Sequence, residues 1–527
     1  MAIETDVLVI GCGIAGAAAA LELSRDRTRD VLVITREHEA SETATAYAQG
    51  GIATVGPADD PSVFAEDIIA AGAQMSLPAA AERLAASARN VIERVLIDEA
   101  GVQFTRSVDG GLSYAREGAH RSDRVLHADD ATGKAIQRAL LARISNRSNV
   151  RIEAGWTAVD LISTPHHSVN PLAVYQPNRC RGAYALDRNS GEVHRILAPT
   201  TVLATGGHGQ IFRHTSNPPG ARGDGLAMAY RAGVNIVNAE YMQFHPTTLA
   251  VPGAGNFLIS EAVRGAGAVL VSRSGDRFME RVSPEWKELA PRDVVSRAIH
   301  RVMLEHDDPY VLLDLATVLD PEAIATRFPM IHARCLSVGV DLAREPIPVV
   351  PAAHYACGGV LVDDVGRTIL PGLYAIGEVS CTGVHGANRL ASTSLLEGLV
   401  WGTAAGEDIR GRTDLIEPAA AEIPEWAHAP EDVVADPILV HRDVETLQNI
   451  MWHYVGLLRT GERLDRAVED LNHLWRQVGT FYRETHLDDR LIGLRNMVQC
   501  AWITARAARR NRVSHGTHYR EDSAECS

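Results

Sequence analysis

One glycine-rich segment near the start of the chain constrains its fold more than any other. A short apolar strand predicted over residues 6–10 runs into Gly11-x-Gly13-x-x-Gly16 and then into an alanine-rich helix. Glycines at this position let the backbone approach a pyrophosphate at the N-terminus of the helix. A second apolar run over residues 30–34 completes a parallel β-α-β unit. The pattern predicts a dinucleotide-binding domain, although an unliganded tight turn would have the same glycines.

The second strand of this unit leaves the choice of dinucleotide open. It ends at Thr35-Arg36. An NAD site usually has an acidic residue there, about 20 residues after the glycines, that binds a ribose hydroxyl. The cofactor therefore has to be assigned from other segments.

Two later segments repeat the pattern of a strand followed by glycine and extend the predicted sheet. Residues 201–204 end in Thr205-Gly-Gly207, and residues 372–377 end in Gly377. We therefore expect an α/β fold whose Rossmann-like nucleotide-binding domain has two parts, residues 1–236 and 353–420. The span between them, 237–352, is predicted to be an inserted α+β capping domain.

The last quarter of the chain has a different pattern. The stretch from Glu417 to Pro437 is rich in Pro, Ala and Glu, and residues 421–437 within it are predicted to be a linker. Apolar residues then recur at helical spacing over 440–458, 467–486 and 489–509, which predicts a helical bundle within 438–512. The polar end, 513–527, is expected to be a flexible tail.

Bulk composition excludes several classes of function. The formal net charge of -15 argues against a nucleic-acid partner, which would require a basic face. Seven scattered cysteines, none in a C-x-x-C pair, predict neither a metal site nor a disulfide framework and favour a reducing cytoplasm. No apolar stretch approaches the ~20 residues needed to span a membrane. We therefore expect a cytoplasmic protein without a membrane partner.

Two more segments make the cofactor assignment possible. A small-residue loop occupies residues 41–53, and Gly377-Glu378 is followed by the segment 386–398. Together with the first glycine motif they resemble the fumarate reductase, succinate dehydrogenase and L-aspartate oxidase flavoprotein family, over residues 3 to about 509. The resemblance implies FAD, with these candidate binding residues: Gly11, Gly13, Ile14, Ala15, Gly16, Thr35, Arg36, Ser41, Thr43, Ala44, Thr45, Ala48, Gln49, Gly50, Gly51, Ala204, Thr205, Gly206, Asp224, Glu378, Ser394 and Leu395.

The same resemblance implies a dicarboxylate site. Arg292, in Pro291-Arg-Asp293, matches the arginine that exchanges a proton with the substrate carbon, and Glu261 and Arg264 match the residues that deliver that proton. Arginine suits a carboxylate clamp because its planar fork binds carboxylate through two parallel hydrogen bonds. The implied substrate-binding residues are Glu117, Gln243, His245, Ser260, His354 and Arg389.

Two positions separate the branches of the family. Membrane-linked members attach FAD covalently to a histidine, and Ala44 stands at that position here, so FAD is expected to be non-covalent. Glu117, in Arg116-Glu-Gly-Ala-His-Arg121, resembles the aspartate-oxidase glutamate that faces the α-amino group of the substrate. A solvent-facing loop glutamate is the alternative interpretation of Glu117.

The implied reaction is oxidation of L-aspartate to iminoaspartate, with O2 or fumarate reoxidising the flavin. Such a product belongs to NAD biosynthesis, with quinolinate synthase as the downstream enzyme. Two alternatives stay open at this point. One is a soluble fumarate reductase or succinate dehydrogenase flavoprotein, and the other is an electron-transfer subunit that binds FAD but no substrate.

Overall fold

A five-stranded parallel sheet organises the fold. The computed structural model describes residues 3–129, 131–164, 166–253, 255, 257–412, 422–427, 429 and 433–523. All four strands predicted from the sequence lie in this sheet, as expected for the α/β class. Their order, with a fifth strand at one edge, is Leu373–Ala375, Thr200–Leu203, Val7–Ile10, Val31–Thr35 and Val150–Ala154.

The sheet is covered on both faces, as parallel sheets normally are. Helices Ile14–Leu23 and Thr393–Gly411 pack against each other over one face. Their backbones approach closely, because a Cβ added at Gly402 would lie 2.5 Å from the carbonyl oxygen of Ala15. The residues just before the second of these helices are thereby held beside the glycine loop of the first.

The other face of the sheet shares its core with the C-terminal helices. Leu8 and Ile10 belong to the same hydrophobic cluster as Leu447, Leu471 and Val498. The helical region predicted from periodicity is therefore present, but it forms one core with the sheet. Its helices are Pro437–Tyr454, Gly461–Glu484 and Asp489–Arg510.

The middle of the chain has an antiparallel sheet and a hydrophobic cluster of its own, which runs from Leu249 to Val349. Its strands, in order across the sheet, are Met242–Leu249, Ile347–Ala356, Val311–Asp314 and Val269–Val271. Its helices are Glu261–Gly265, Met279–Val282, Arg292–His306, Pro321–Arg327 and Pro329–Ser337, with a 3-10 turn at Lys287–Leu289. A separate core supports the proposed inserted domain over 237–352.

The remaining elements surround the parallel sheet. A four-stranded sheet has the order Ile3–Glu4, Val193–Leu197, Arg179–Asp187 and Trp156–Thr164. Two three-stranded sheets are formed by Ile236–Val237, Gly359–Leu361 and Ser380–Cys381, and by Ile52–Ala53, Val125–Leu126 and Tyr114–Ala115. The other helices are Pro61–Ala71, Pro78–Val91, the π-helix Ile92–Glu99, Thr132–Ser145, Asp224–Arg231 and the 3-10 turns Pro171–Tyr175, Gly209–Ile211 and Gly377–Val379.

The end of the chain differs from the flexible tail expected from its polarity. Within residues 513–523, His518 is fully buried and bonds the guanidinium of Arg459, and Thr517 donates to the carbonyl of Ala387. Polar side chains order this segment because their partners are buried donors and acceptors that need satisfaction. Residues 413–421, 428, 430–432 and 524–527 lie outside the described residues, and five of them belong to the proposed linker, 421–437. In the part of the chain that the structure describes, no helix is long and apolar enough to cross a membrane.

Candidate active site

A cavity of about 380 Å³ opens along the carboxyl ends of the parallel strands. Its volume lies within the range of roughly 300–1,000 Å³ found for small-molecule and cofactor sites, and its position agrees with the rule for open α/β sheets. Seventeen of the sequence-predicted cofactor residues line it: Gly11, Gly13, Ile14, Ala15, Thr35, Arg36, Thr43, Ala44, Thr45, Ala48, Ala204, Thr205, Gly206, Asp224, Glu378, Ser394 and Leu395.

The walls of this cavity fit a dinucleotide. Gly11 has φ +111, and a Cβ there would lie 2.1 Å from the carbonyl oxygen of Ala204, so strand and loop meet backbone to backbone. A Cβ at Gly206, which has φ +72, would meet nothing within 4 Å and would occupy open space at the cavity wall. Helix Ile14–Leu23 starts at this wall, where the N–H of Ile14 donates to Thr45 Oγ1 at 2.9 Å and the N-cap residue, Gly13, has no side chain to cap the others, an arrangement that attracts phosphate.

The other five predicted cofactor residues do not line the cavity. Gly16 and Gly51 instead permit close packing, since an added Cβ would lie 2.0 Å from the carbonyl oxygen of Gly11 in the first case and 2.3 Å from Val125 Cγ1 in the second. Gly50 lies beside the Glu117 carboxyl group. The side chain of Gln49 is buried, and Ser41 is exposed. These five therefore stay predictions as cofactor contacts.

The inner end of the cavity is built by His354 and Arg389, which both line it. The ring of His245, on strand Met242–Leu249, lies 5.2 Å from the ring of His354, measured between centroids. The backbone N–H of Thr247 donates to Nδ1 of His245 at 3.2 Å, so a neutral His245 ring has its proton on Nε2. The predicted dicarboxylate clamp therefore comes together at one place.

A line of charged side chains adjoins this clamp. Oε2 of Glu261 accepts from Nε of Arg292 at 2.8 Å and lies 3.6 Å from Nη2 of Arg264. Oε1 of Glu261 accepts from the backbone N–H of Gly118 at 3.0 Å. Glu261 thus bridges the two arginines, and this geometry can pass a proton between buried Arg264 and the half-buried Arg292. The hydroxyl of Ser260 caps the short helix by accepting from Ala262 N–H at 3.3 Å, and its contact with the substrate stays a prediction.

Gln243 connects the line of charged side chains, through Arg292, to the carboxylate clamp. Its Oε1 accepts from Nη1 of Arg292 at 3.2 Å, while its Nε2 donates to Oδ1 of Asn388 at 2.7 Å and to the carbonyl of Arg389 at 2.8 Å. Asn388 in turn donates to Asp293 at 3.2 Å. Sequence reasoning missed Asn388, although it stands directly before Arg389 in the motif. The network ties the helix that begins at Arg292 to the Arg389 loop.

Glu117 lies in the same cluster, where the charges of Glu261, Arg292 and Arg389 all act on its carboxyl group. Its Oε2 accepts from the hydroxyl of Ser392 at 2.6 Å. Sequence reasoning also missed Ser392. Its φ is +57, and a non-glycine residue in the left-handed region marks a constrained position, but this signal exists only in the three-dimensional structure. This location favours a site residue over the solvent-facing loop alternative, and the role of Glu117 stays a prediction.

Burial sets the charge states of these groups. Burial, followed by the positive charge of Arg292, lowers the pKa of His245 and His354 well below the ordinary value, so both rings are neutral near pH 7. The same two causes lower the pKa of Arg389 to about 10, which leaves it protonated. Burial raises the pKa of Glu261, but Arg292 and Arg264 more than offset it and hold that pKa below its usual range. Burial, and then Glu261, raises the pKa of Glu117.

The site therefore combines a dinucleotide cavity with a cluster of cations and neutral imidazoles at its inner end, which defines a nucleotide-dependent enzyme acting on an anionic substrate. In the described residues, no group of three or more His, Cys, Asp or Glu side chains is placed to hold a metal ion.

Family models place this architecture among flavoproteins. The FAD binding domain model matches residues 6–395, and the fumarate reductase flavoprotein C-terminal model matches residues 444–526. Ala44 lines the cavity, and because an alanine side chain cannot bond to the flavin, FAD is bound non-covalently.

Individual relatives narrow the family. The chain is 42% identical to L-aspartate oxidase of Yersinia pestis, over 98% of this chain and 96% of that one, and 43% identical to L-aspartate oxidase of Halobacterium salinarum, over 99% and 97%. Among solved structures, E. coli quinol fumarate reductase FrdA superposes with a TM-score of 0.88 at 26% identity, covering 99% of this chain and 92% of that chain. The chain belongs to the L-aspartate oxidases of the fumarate reductase and succinate dehydrogenase flavoprotein family.

Proposed function

We propose that this protein oxidises L-aspartate to iminoaspartate and that fumarate or O2 then accepts the electrons. FAD bound in the cavity supplies the two-electron acceptor for the Cα–H bond of the substrate. The observation that supports this function best is the charged cluster beside the inner end of the cavity. Arg389 and His354 line the cavity there, and the carboxyl group of Glu117 lies close enough to Arg292 and Arg389 to be influenced by their charges.

The clamp accounts for the two carboxylates of the substrate. Arg389 presents a buried guanidinium at the cavity wall, and its Nε has no hydrogen-bond partner among the described residues, so it can donate to a carboxylate. His245 and His354 are neutral and can each donate one ring N–H. Together these groups bind and orient a four-carbon anion. Arg389 contributes a positive charge, and the two imidazoles contribute hydrogen bonds without a charge.

Glu117 accounts for the amine. A carboxylate near the α-ammonium lowers the cost of removing that ammonium from water, and succinate has no group that would use it. Arg292, held by Glu261 at 2.8 Å, is the group that exchanges a proton with the substrate carbon when fumarate is reduced. Glu261 and Arg264 resupply that proton through the contacts at 2.8 and 3.6 Å.

The proposal also covers the compartment of the enzyme and the fate of its product. The enzyme works in the cytoplasm, and its unstable imine product is consumed by quinolinate synthase on the route to NAD. The absence of C-x-x-C pairs and the six buried free cysteines in the described residues support a reducing compartment.

A substrate screen tests the function. Purified FAD-loaded protein is supplied with L-aspartate, D-aspartate, L-glutamate or succinate in air, and H2O2 and ammonia are measured. The proposal expects H2O2 and ammonia from L-aspartate, since the imine hydrolyses in water. H2O2 from succinate without ammonia would instead support the succinate dehydrogenase alternative.

A further inference from the structure

A buried hydrogen-bond network lies behind the carboxylate clamp, centred on Glu397 of helix Thr393–Gly411. Its carboxylate accepts from the hydroxyl of Tyr355 at 2.6 Å, from the hydroxyl of Thr382 at 2.6 Å and from Nε2 of His385 at 2.9 Å. The side chain of Glu397 is 1% exposed, and the four residues come from three separate segments. The Tyr355 ring is therefore fixed at its hydroxyl end.

The face of this ring is covered by Arg389. The guanidinium carbon of Arg389 lies 4.5 Å from the Tyr355 ring centroid. The same guanidinium donates to the Ser394 hydroxyl at 3.3 Å and to the carbonyl of Leu390 at 3.4 Å, and its buried Nε has no hydrogen-bond partner. In the part of the chain that the structure describes, no carboxylate forms an ion pair with Arg389.

This arrangement is unusual for a buried arginine, because such charges are normally paired with a carboxylate. A carboxylate partner would occupy the planar fork of N–H groups through which arginine binds an anion. An aromatic face attracts the cation through its quadrupole without accepting those N–H groups, and the attraction is strongest where water is excluded.

We infer that Tyr355 is a positioning residue, which holds Arg389 by cation–π attraction so that the guanidinium N–H groups stay available to a carboxylate of the ligand. Glu397 sets the position of Tyr355 through the hydroxyl. The inference rests on the proposed function only in taking a dicarboxylate as the ligand of Arg389.

Ligand binding to variants of the FAD-loaded protein tests this role. Tyr355→Leu removes the ring, and Tyr355→Phe keeps the ring but removes the bond to Glu397. The dissociation constant for succinate is measured from the change in flavin absorbance, without turnover. We expect Tyr355→Leu to weaken succinate binding by about ten- to thirtyfold, the scale of a desolvated cation–π contact, and Tyr355→Phe to stay within about threefold of the unmodified protein.

Turnover separates positioning from a general structural defect. Because Arg389 binds substrate in the ground state and in the transition state alike, Tyr355→Leu should raise KM with a much smaller change in kcat. Tyr482→Leu is the matched control, since Arg495 lies over the Tyr482 ring at 4.1 Å and Tyr482 does not line the cavity. This control should leave KM and the succinate dissociation constant unchanged.

Ring fluorination in the Tyr355→Phe protein gives a second test that keeps the shape of the side chain and does not depend on the leucine variant folding. Each added fluorine weakens the negative face of the ring, so succinate binding should weaken stepwise. Binding that is insensitive to fluorination, or a Tyr355→Phe variant as weak as Tyr355→Leu, would overturn the inference. If the unmodified protein binds succinate but does not oxidise L-aspartate, the proposed function fails while this test of Tyr355 still stands.

Discussion

Replacement of Glu117 by glutamine tests whether the enzyme recognises the amino group of its dicarboxylate substrate. The substitution keeps the size of the side chain and removes its charge. Ser392 already donates to Oε2 at 2.6 Å, and the remaining oxygen of Glu117 is the one available to the substrate ammonium. The clamp of His245, His354 and Arg389 is left in place, so binding of the two carboxylates should persist.

The size of the effect follows from the bond that is lost. Hydrogen bonds to charged groups contribute about 1.5–3 kcal/mol, which is about ten- to a hundredfold in kcat/KM. We expect Glu117→Gln to lower kcat/KM for L-aspartate by that factor. Fumarate reduction should change by less than about threefold, because fumarate has no amine.

Both reactions are measured on the same FAD-loaded preparation, with H2O2 formation as the assay for L-aspartate and reoxidation of reduced flavin as the assay for fumarate. Glu42→Gln is the matched control, since Glu42 lines the same cavity and, among the described residues, its side chain hydrogen-bonds only the exposed Tyr47. Equal losses for both substrates would show that Glu117 has a structural role. No loss for either would refute the charge argument.

Four further predictions follow from the site and its surroundings. Denaturing the protein should release all of its FAD, because Ala44 cannot bond to the flavin; fluorescence that stays with the denatured chain would contradict this. Arg292→Leu should lose turnover of L-aspartate and of fumarate by at least about a hundredfold while it retains FAD, as judged by flavin absorbance. The pKa of Glu117 is raised, and its carboxylate form is the one that pairs with ammonium. For L-aspartate, kcat/KM should therefore be highest above that raised pKa and fall as the pH drops through it. This fall at acid pH should be absent in Glu117→Gln. His518→Ala should lower stability by about 1–3 kcal/mol, because it removes a partner from the buried Arg459 guanidinium, and a thermal melt of the holoprotein that matches the unmodified one would argue against this packing.

The parts of the fold that local sequence determines were predictable. The glycine loop and its strands follow from adjacent residues, since Gly11 and Gly16 permit backbone contacts that any Cβ would prevent. The three C-terminal helices follow from apolar periodicity. Their packing was not predictable, because the core that they share with Leu8 and Ile10 joins residues more than 400 positions apart in one cluster.

The same limit applies to the site. Family resemblance named His245, His354 and Arg389, and the structure brings them together. No sequence motif pointed to Tyr355 or Ser392. Tyr355 matters because its ring lies under the guanidinium of Arg389, and Ser392 because its hydroxyl donates to the carboxylate of Glu117. Such contacts exist only after strands and loops from distant segments have packed.

The ordered end of the chain has a similar cause. Residues 513–523 are polar, and polarity alone predicts a flexible tail. Arg297 donates to the carbonyl of Gly516 at 2.9 Å, and Thr517 donates to that of Ala387 at 2.9 Å, so the segment is held by partners that the sequence does not indicate.

The most direct test of the proposed function is an anaerobic reductive half-reaction. FAD-loaded protein is mixed with L-aspartate or with succinate in the absence of O2, and the flavin absorbance is followed in a stopped-flow instrument. The proposal predicts rapid bleaching with L-aspartate, no comparable bleaching with succinate, and return of the colour when fumarate is added. Bleaching by succinate with an unchanged spectrum in L-aspartate would contradict it.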